Sequence, residues 1–234
     1  MSTARTIYRR VRRAVRRAAG RDIQFPVQID VPTVIYGTEY GAWSICPDRL
    51  DRDSIVYSVG IGTDISFDLA LIEHHGVTVH AFDPTPGSIA WLERQELPSR
   101  FKWRQVGLAA YDGQATFFPP EDPGWISHTM LPRAAAQDRT IEVEVRRLST
   151  LMRDLGHARL DVLKMDIEGV EYDVIGDIVG SGVDIGQWLV EFHHRFSDVG
   201  IERTRQAVET LNAAGYRIFF VSESGEEYGF IRRP

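Results

Sequence analysis

Apolar positions along the chain switch repeatedly between two periods. Residues 55–59 form a short β-rich run ending at Gly60, and residues 66–75 carry Phe67, Leu69, Ala70, Leu71 and Ile72 at helical spacing. The same reading gives strands at 77–82 and 101–106 with a helix at 88–95 between them. Short strands at 115–118 and 141–145 bracket a Pro-rich loop, followed by a helix at 148–155, a buried strand at 162–165 and a helix at 170–179. A strand at 188–192, a helix at 201–214 closed by Gly215, and strands at 217–221 and 228–232 complete the pattern. Strands alternating with helices of about ten residues build βαβ units and a mostly parallel sheet. Only the turn 223–227 separates the last two strands, so they form a hairpin that puts one antiparallel strand into that sheet. The prediction is one doubly wound α/β domain over 31–234, with no internal repeat. Its first stretch, 31–53, mixes Gly37, Gly41, Pro32 and Pro47 with aromatic residues and reads as turns and a short strand.

Residues 1–30 look different. Eight arginines (Arg5, Arg9, Arg10, Arg12, Arg13, Arg16, Arg17 and Arg21) and no acid occupy positions 1–21. The whole chain has 27 basic and 33 acidic residues, so the rest carries 19 against 33, a net charge of −14. Ile7, Val11, Val15 and Ala18 recur at helical spacing within this arm. A solvated basic helix and a helix resting on anionic lipid both fit the pattern, the second as a possible peripheral membrane contact. A basic arm on an acidic body argues against a nucleic-acid-binding domain.

The chain is long enough for one sizeable core, with 234 residues of which 43% are hydrophobic. Cys46 is its only cysteine, which excludes an internal disulfide and a cysteine-based zinc cluster. No apolar run approaches the roughly 18 residues needed to span a bilayer, and the N-terminus lacks the apolar segment of a secretory signal. A cytoplasmic setting is therefore expected.

Candidate chemistry gathers at the carboxyl ends of the strands, where an open parallel sheet binds ligands. The first turn reads Ser58-Val59-Gly60-Ile61-Gly62-Thr63-Asp64, with glycines that let the backbone turn and approach a ligand closely. A dinucleotide fingerprint would have glycine at position 65, where this chain has Ile65. Asp83 ends the second strand 23 positions after Gly60, a spacing suited to ribose hydroxyls, and a helix N-cap is its alternative role. The third strand leads into Gln105-Val106-Gly107-Leu108, where Val106 and Gly107 are candidates to border an adenine.

Two further strand ends carry the candidate reacting groups. One delivers Asp166 and Glu168, with helix capping as the alternative for Glu168; its neighbour ends in Glu191-Phe192-His193-His194. His193 is the candidate general base, with Asp166 or Glu191 orienting it or binding acceptor hydroxyls. A core-capping histidine is the plainer alternative, and His128 in the loop Trp125-Ile126-Ser127-His128-Thr129 is the rival base. Tyr40 and Trp43 join that loop as candidate cover over the acceptor. The acids and the histidine are also the donor types of an oxygen-rich divalent-metal site. Sequence does not bring them together, and no metal is assigned.

These segments resemble the FkbM family of S-adenosylmethionine-dependent methyltransferases. The stretch DVLKMDIEGVEYDVI (161–175) is similar to the family's hallmark, and VYSVGIGTDISFD (56–68), HAFDPTP (80–86) and LVEFHH (189–194) are similar to a subgroup of it. The resemblance covers about residues 35–232. It implies a class I methyltransferase (Rossmann-like) sheet of seven strands with the terminal hairpin. It also implies S-adenosylmethionine as cofactor and O-methylation of a sugar, glycan or natural-product-type acceptor. Ser58, Gly60, Gly62, Asp64, Asp83, Val106 and Gly107 are then the cofactor candidates. Ser58 stands where many relatives have an acid, and Asp64 where many methyltransferases have a third glycine. A nicotinamide-dependent oxidoreductase and a non-catalytic cofactor-binding scaffold are the competing classes.

Overall fold

The computed structural model of the protein describes residues 3–119, 128–132 and 139–232. Its main sheet runs from edge to edge through β11 (Tyr216–Val221), β12 (Glu227–Arg232), β10 (Asp184–Glu191), β9 (Arg159–Met165), β3 (Ile55–Val59), β4 (Thr78–Phe82) and β5 (Phe101–Arg104). Six of these strands run the same way and β12 runs against them, paired on both sides. The chain enters at β3 in the middle, builds β4 and β5 to one side, and returns to β9 and β10 on the other. That strand order and the reversed β12 are those of the class I methyltransferase fold.

The strands read as apolar runs because both faces are covered. On one face Val56, Val162 and Leu189 pack with Phe67 and Leu71 of α2 (Ser66–His75) and Ile89 of α3 (Pro86–Leu92). On the other, Tyr57, Leu163 and Trp188 pack with Leu151 of α4 (Leu148–Leu155), Ile175 of α5 (Glu171–Ser181) and Val208 of α6 (Ile201–Ala213).

Three features depart from the sequence pattern. The third strand stops at Arg104, and the chain then joins a second small sheet. There β6 (Gly107–Leu108) runs parallel to β8 (Ile141–Arg146), which pairs antiparallel with β7 (Gly113–Phe117). The 31–53 stretch forms a hairpin of two strands, β1 (Val34–Tyr36) and β2 (Trp43–Ile45). It is tied to β10 by the buried Gln187 amide, whose Oε1 accepts from Cys46 N at 2.8 Å and whose Nε2 donates to Cys46 O at 3.1 Å.

The basic arm forms α1 (Thr3–Ala18), with Tyr8, Val11 and Val15 exposed. Arg10 pairs with Glu223 in the terminal hairpin, and Arg13 Nη1 donates to Glu223 O at 2.7 Å. The side chains of Arg5, Ile7 and Arg9 lie outside the described residues. The stretch 22–29, grouped with the arm by its position, packs on the body: Gln28 and Ile29 donate to Ile218 O, and Phe25 N donates to Tyr228 Oη. Among the described residues no helix is long and apolar enough to cross a membrane.

Candidate active site

A cleft opens at the carboxyl edge of the sheet, where the chain reverses between β3 and β9. Two backbone bonds fix its floor: Gly60 N donates to Phe82 O at 3.0 Å and Asp166 N donates to Val59 O at 3.1 Å. Gly60 has φ 72°, and a Cβ there would stand 1.6 Å from Asp166 O. Glycine is what allows the first turn to lie against the 166–169 turn.

Gly60, Gly62, Asp64, Asp83, Gly107, Asp166 and Glu191 all line this cleft, as do His128, Tyr40 and Trp43. Asp83 is buried; Oδ2 accepts from Gly62 N at 3.0 Å, and Oδ1 accepts from Thr85 N at 2.9 Å and Thr85 Oγ1 at 2.6 Å. A carboxylate has about four acceptor positions, so Asp83 pins both turns and keeps one for a ligand. Asp64 accepts from Ser66 N and Thr38 Oγ1; burial raises its pKa, but these bonds outweigh that and lower it.

Three expectations about side-chain placement fail. Ser58 is fully buried inside the β3 wall, outside the lining, with its hydroxyl beside the buried Asp68 carboxyl. Val106 packs into the core beneath the cleft. Trp43 lies against Lys164, whose Nζ is 5.4 Å from its ring, and Gly41 sits against the Asp64 carboxylate, so this hairpin covers the glycine-turn end rather than the acceptor end. Trp125, Ile126 and Ser127 lie outside the described residues.

Two residues that the pattern did not single out complete the glycine-turn end. Lys164 projects from the carboxyl end of β9 and donates to Gly60 O. Asp68, in the first turn of α2, is buried and lines the cleft, its carboxyl beside Ser58. Burial pushes its pKa up to about 6, although the nearby Lys164 charge pulls it down.

The opposite end is built on β9, β10 and the first turn of α5. His193 is 8% exposed and does not line the cleft. Its Nδ1 bonds Glu171 Oε1 at 2.8 Å, and its Nε2 stands 3.7 Å from both Asp166 Oδ1 and Glu168 Oε2. Burial opposes charge on this ring, but Glu171 first, then Asp166 and Glu168, outweigh it and hold its pKa well above the ordinary histidine value. With the ring outside the cleft lining and Nδ1 engaged by Glu171, His193 does not meet a substrate in the cleft as a general base. Its position fits a group that orients Asp166. Burial raises the pKa of both Asp166 and Glu191.

Glu168, with φ 56°, turns toward the cleft, so it is not the cap of α5. Glu171 organises that turn: fully buried, it accepts from Ile167 N and Gly169 N at 3.1 Å. Among the described residues, seven carboxylates (Asp64, Asp68, Asp83, Asp166, Glu168, Glu191, Glu227) and one lysine line the cleft, a balance that favours a cationic ligand.

Residues 56–218 match the family model described as the methyltransferase FkbM domain. The chain belongs to the FkbM methyltransferase family. This FkbM chain is 29% identical over 166 residues to the human probable methyltransferase-like protein 24, covering 64% of this chain and 38% of that one. It is 28% identical over 169 residues to the 31-O-demethyl-FK506 methyltransferase FkbM of Streptomyces tacrolimicus, covering 60% of this chain and 63% of that one. It thus spans less than two thirds of the length of these curated relatives. Among solved structures it is similar to the fibrillarin of Methanococcus jannaschii (TM-score 0.46, 12% identity, 78% of this chain and 67% of that one). It is also similar to the fibrillarin of Aeropyrum pernix (TM-score 0.44, 11% identity, 88% of this chain and 84% of that one). Family membership sets aside the nicotinamide reading.

Proposed function

We propose that this FkbM chain transfers a methyl group from S-adenosylmethionine to a hydroxyl oxygen of a sugar, glycan or natural-product-type acceptor. The observation that carries the proposal is the cleft itself, with a glycine turn and Asp83 at one end and carboxylates at the other. S-adenosylmethionine supplies an electrophilic methyl group on a positively charged sulfur, together with a ribose and a zwitterionic amino-acid end.

The residues present suit that ligand. Asp83 keeps an acceptor position for a ribose hydroxyl. Asp68, a buried acid in the lining, suits the ammonium, and Lys164 the carboxylate, so Asp68 fills the role that an acid at position 58 would have. Gly107 and Leu108 border the adenine side. At the far end the acidic wall of Asp166, Glu191 and Glu227 receives the acceptor hydroxyl and its proton, and His193 orients Asp166. Holding both partners in one cleft supplies much of the rate.

Calorimetry with S-adenosylhomocysteine tests the cofactor half. The wild type is expected to bind it, and Asp83→Ala to weaken binding about 10- to 100-fold through loss of a charge-assisted hydrogen bond. Asp68 adds a pH dependence. Above about pH 6 it is a carboxylate able to hold the ammonium; below, it is protonated and the affinity falls. Asp68→Asn is expected to flatten that fall. Failure of the wild type to bind, or unchanged affinity in folded Asp83→Ala, overturns this reading. A screen of methyl-donor turnover against glycans and small hydroxylated acceptors tests the other half.

A second proposal concerns α1. Its arginines and exposed Tyr8, Val11 and Val15 suit a weak, salt-sensitive contact with anionic lipid. Co-sedimentation with anionic vesicles at low salt is expected, and loss of it on deleting residues 1–21; a full chain that ignores such vesicles rules the contact out.

A further inference from the structure

The acceptor end holds a set of ligand atoms that methyl transfer alone does not require. One carboxylate oxygen each from Asp166 and Glu191 and one ring nitrogen of His193 all lie within 4.8 Å of one another. They come from the ends of adjacent parallel strands, in a register that pairs Met165 with Val190. Sheet pairing thus sets Asp166 beside Glu191, and His193 follows two residues on.

The histidine gives the cluster its meaning. It is over nine-tenths buried, and its Nδ1 is committed to Glu171, which is itself fully buried and fixed by two backbone N–H groups. Nε2 faces the carboxylates, yet at 3.7 Å it makes no hydrogen bond to Asp166 or Glu168. A ring tied through one nitrogen to a buried carboxylate, with the other nitrogen aimed at oxygen donors, is how metal-ligating histidines are oriented. Lys164, the one lysine in the lining, has its ammonium drawn to Val59 O and Gly60 O at the other end.

We propose that Asp166, Glu191 and His193 bind one divalent cation of the Mg²⁺ or Mn²⁺ type, whose open positions take two neighbouring oxygens of the acceptor. Two carboxylate oxygens and one imidazole suit such hard to borderline ions, and no cysteine stands in the cluster to favour a soft one. Three protein ligands leave about three positions on an octahedral ion, and Asp166 and Glu191 present the ion to the cleft. The acceptor class that follows is one with vicinal oxygens, a diol or a hydroxy-carbonyl. Transfer forms the O–CH₃ bond, breaks the S–CH₃ bond and releases the hydroxyl proton to Glu227, which faces the same cleft opposite Glu191 in the β10–β12 register. The acceptor half rests on the methyltransferase reading; cation binding does not.

The test is titration of the metal-stripped full chain with Mn²⁺, following free Mn²⁺ by electron paramagnetic resonance. One saturable site is expected. Glu191→Gln and His193→Gln are expected to weaken it at least about 10-fold while leaving S-adenosylhomocysteine binding in place. That retained binding shows the variants are folded. No saturable site in the wild type, or wild-type affinity in both folded variants, overturns the cation site. If Mn²⁺ binds and S-adenosylhomocysteine does not, the methyltransferase reading falls while the cation site stands. Turnover with Mn²⁺ present is expected to favour vicinal-oxygen acceptors over their single-hydroxyl analogues at least about 10-fold, and equal turnover overturns chelation.

Discussion

Gly60→Ala is expected to destabilise the chain by more than about 3 kcal/mol, which urea unfolding would show as a large fall in midpoint. The backbone at Gly60 has φ 72°, which costs an alanine about 1–2 kcal/mol. The added methyl would also lie 1.6 Å from Asp166 O, a backbone atom with no rotamer to change. Relief requires β3 and β9 to separate at their ends, where Gly60 N bonds Phe82 O and Asp166 N bonds Val59 O. Three central strands would have to yield together. Gly76→Ala separates the two contributions. Its φ is 66°, but the nearest atom to an added Cβ is Arg52 Cβ at 3.8 Å, so only the backbone strain of about 1–2 kcal/mol is expected. Equal losses in the two variants would show that the strand contact contributes nothing.

The same contact explains what sequence could and could not reveal. The bounds of β3, α2 and α4 follow from local periodicity and agree with the structure, because each element buries one regular set of side chains. The terminal hairpin was legible for the same reason. The end of β5 was not: Gln105 and Val106 continue an acceptable strand pattern, and the departure of Gly107 is set by pairing with β8, more than 30 residues later. In the cleft, position along a strand was enough to bring Asp83, Asp166 and Glu191 to the lining, whereas side-chain direction separated Ser58 from Asp68. Asp68 reads as an ordinary acid in the first turn of a helix until α2 is packed on β3. Lys164 did leave a trace, a charge inside the apolar run Val162-Leu163-Lys164-Met165, where an uncompensated ammonium is costly. His193 carried the right chemistry for a base, but its orientation depends on Glu171, 22 residues away in sequence.

Glu171 carries the largest expected effect at the acceptor end. Glu171→Ala is expected to cost about 3–5 kcal/mol, because removing one partner leaves a buried ionic network uncompensated. The carboxylate accepts from Ile167 N and from Gly169 N and bonds His193 Nδ1, all with no exposed surface of its own. Water has no ready route to replace it. Glu171→Gln keeps the shape and one acceptor oxygen, so it should recover part of the loss while presenting an NH₂ group to one of three donors. The expected order of midpoints in urea is wild type, glutamine, alanine. An alanine variant within about 1 kcal/mol of wild type would mean that the 166–171 turn holds itself. The orientation of His193 toward Asp166 would then have to come from its packing on Phe196, whose ring centre lies 4.9 Å away.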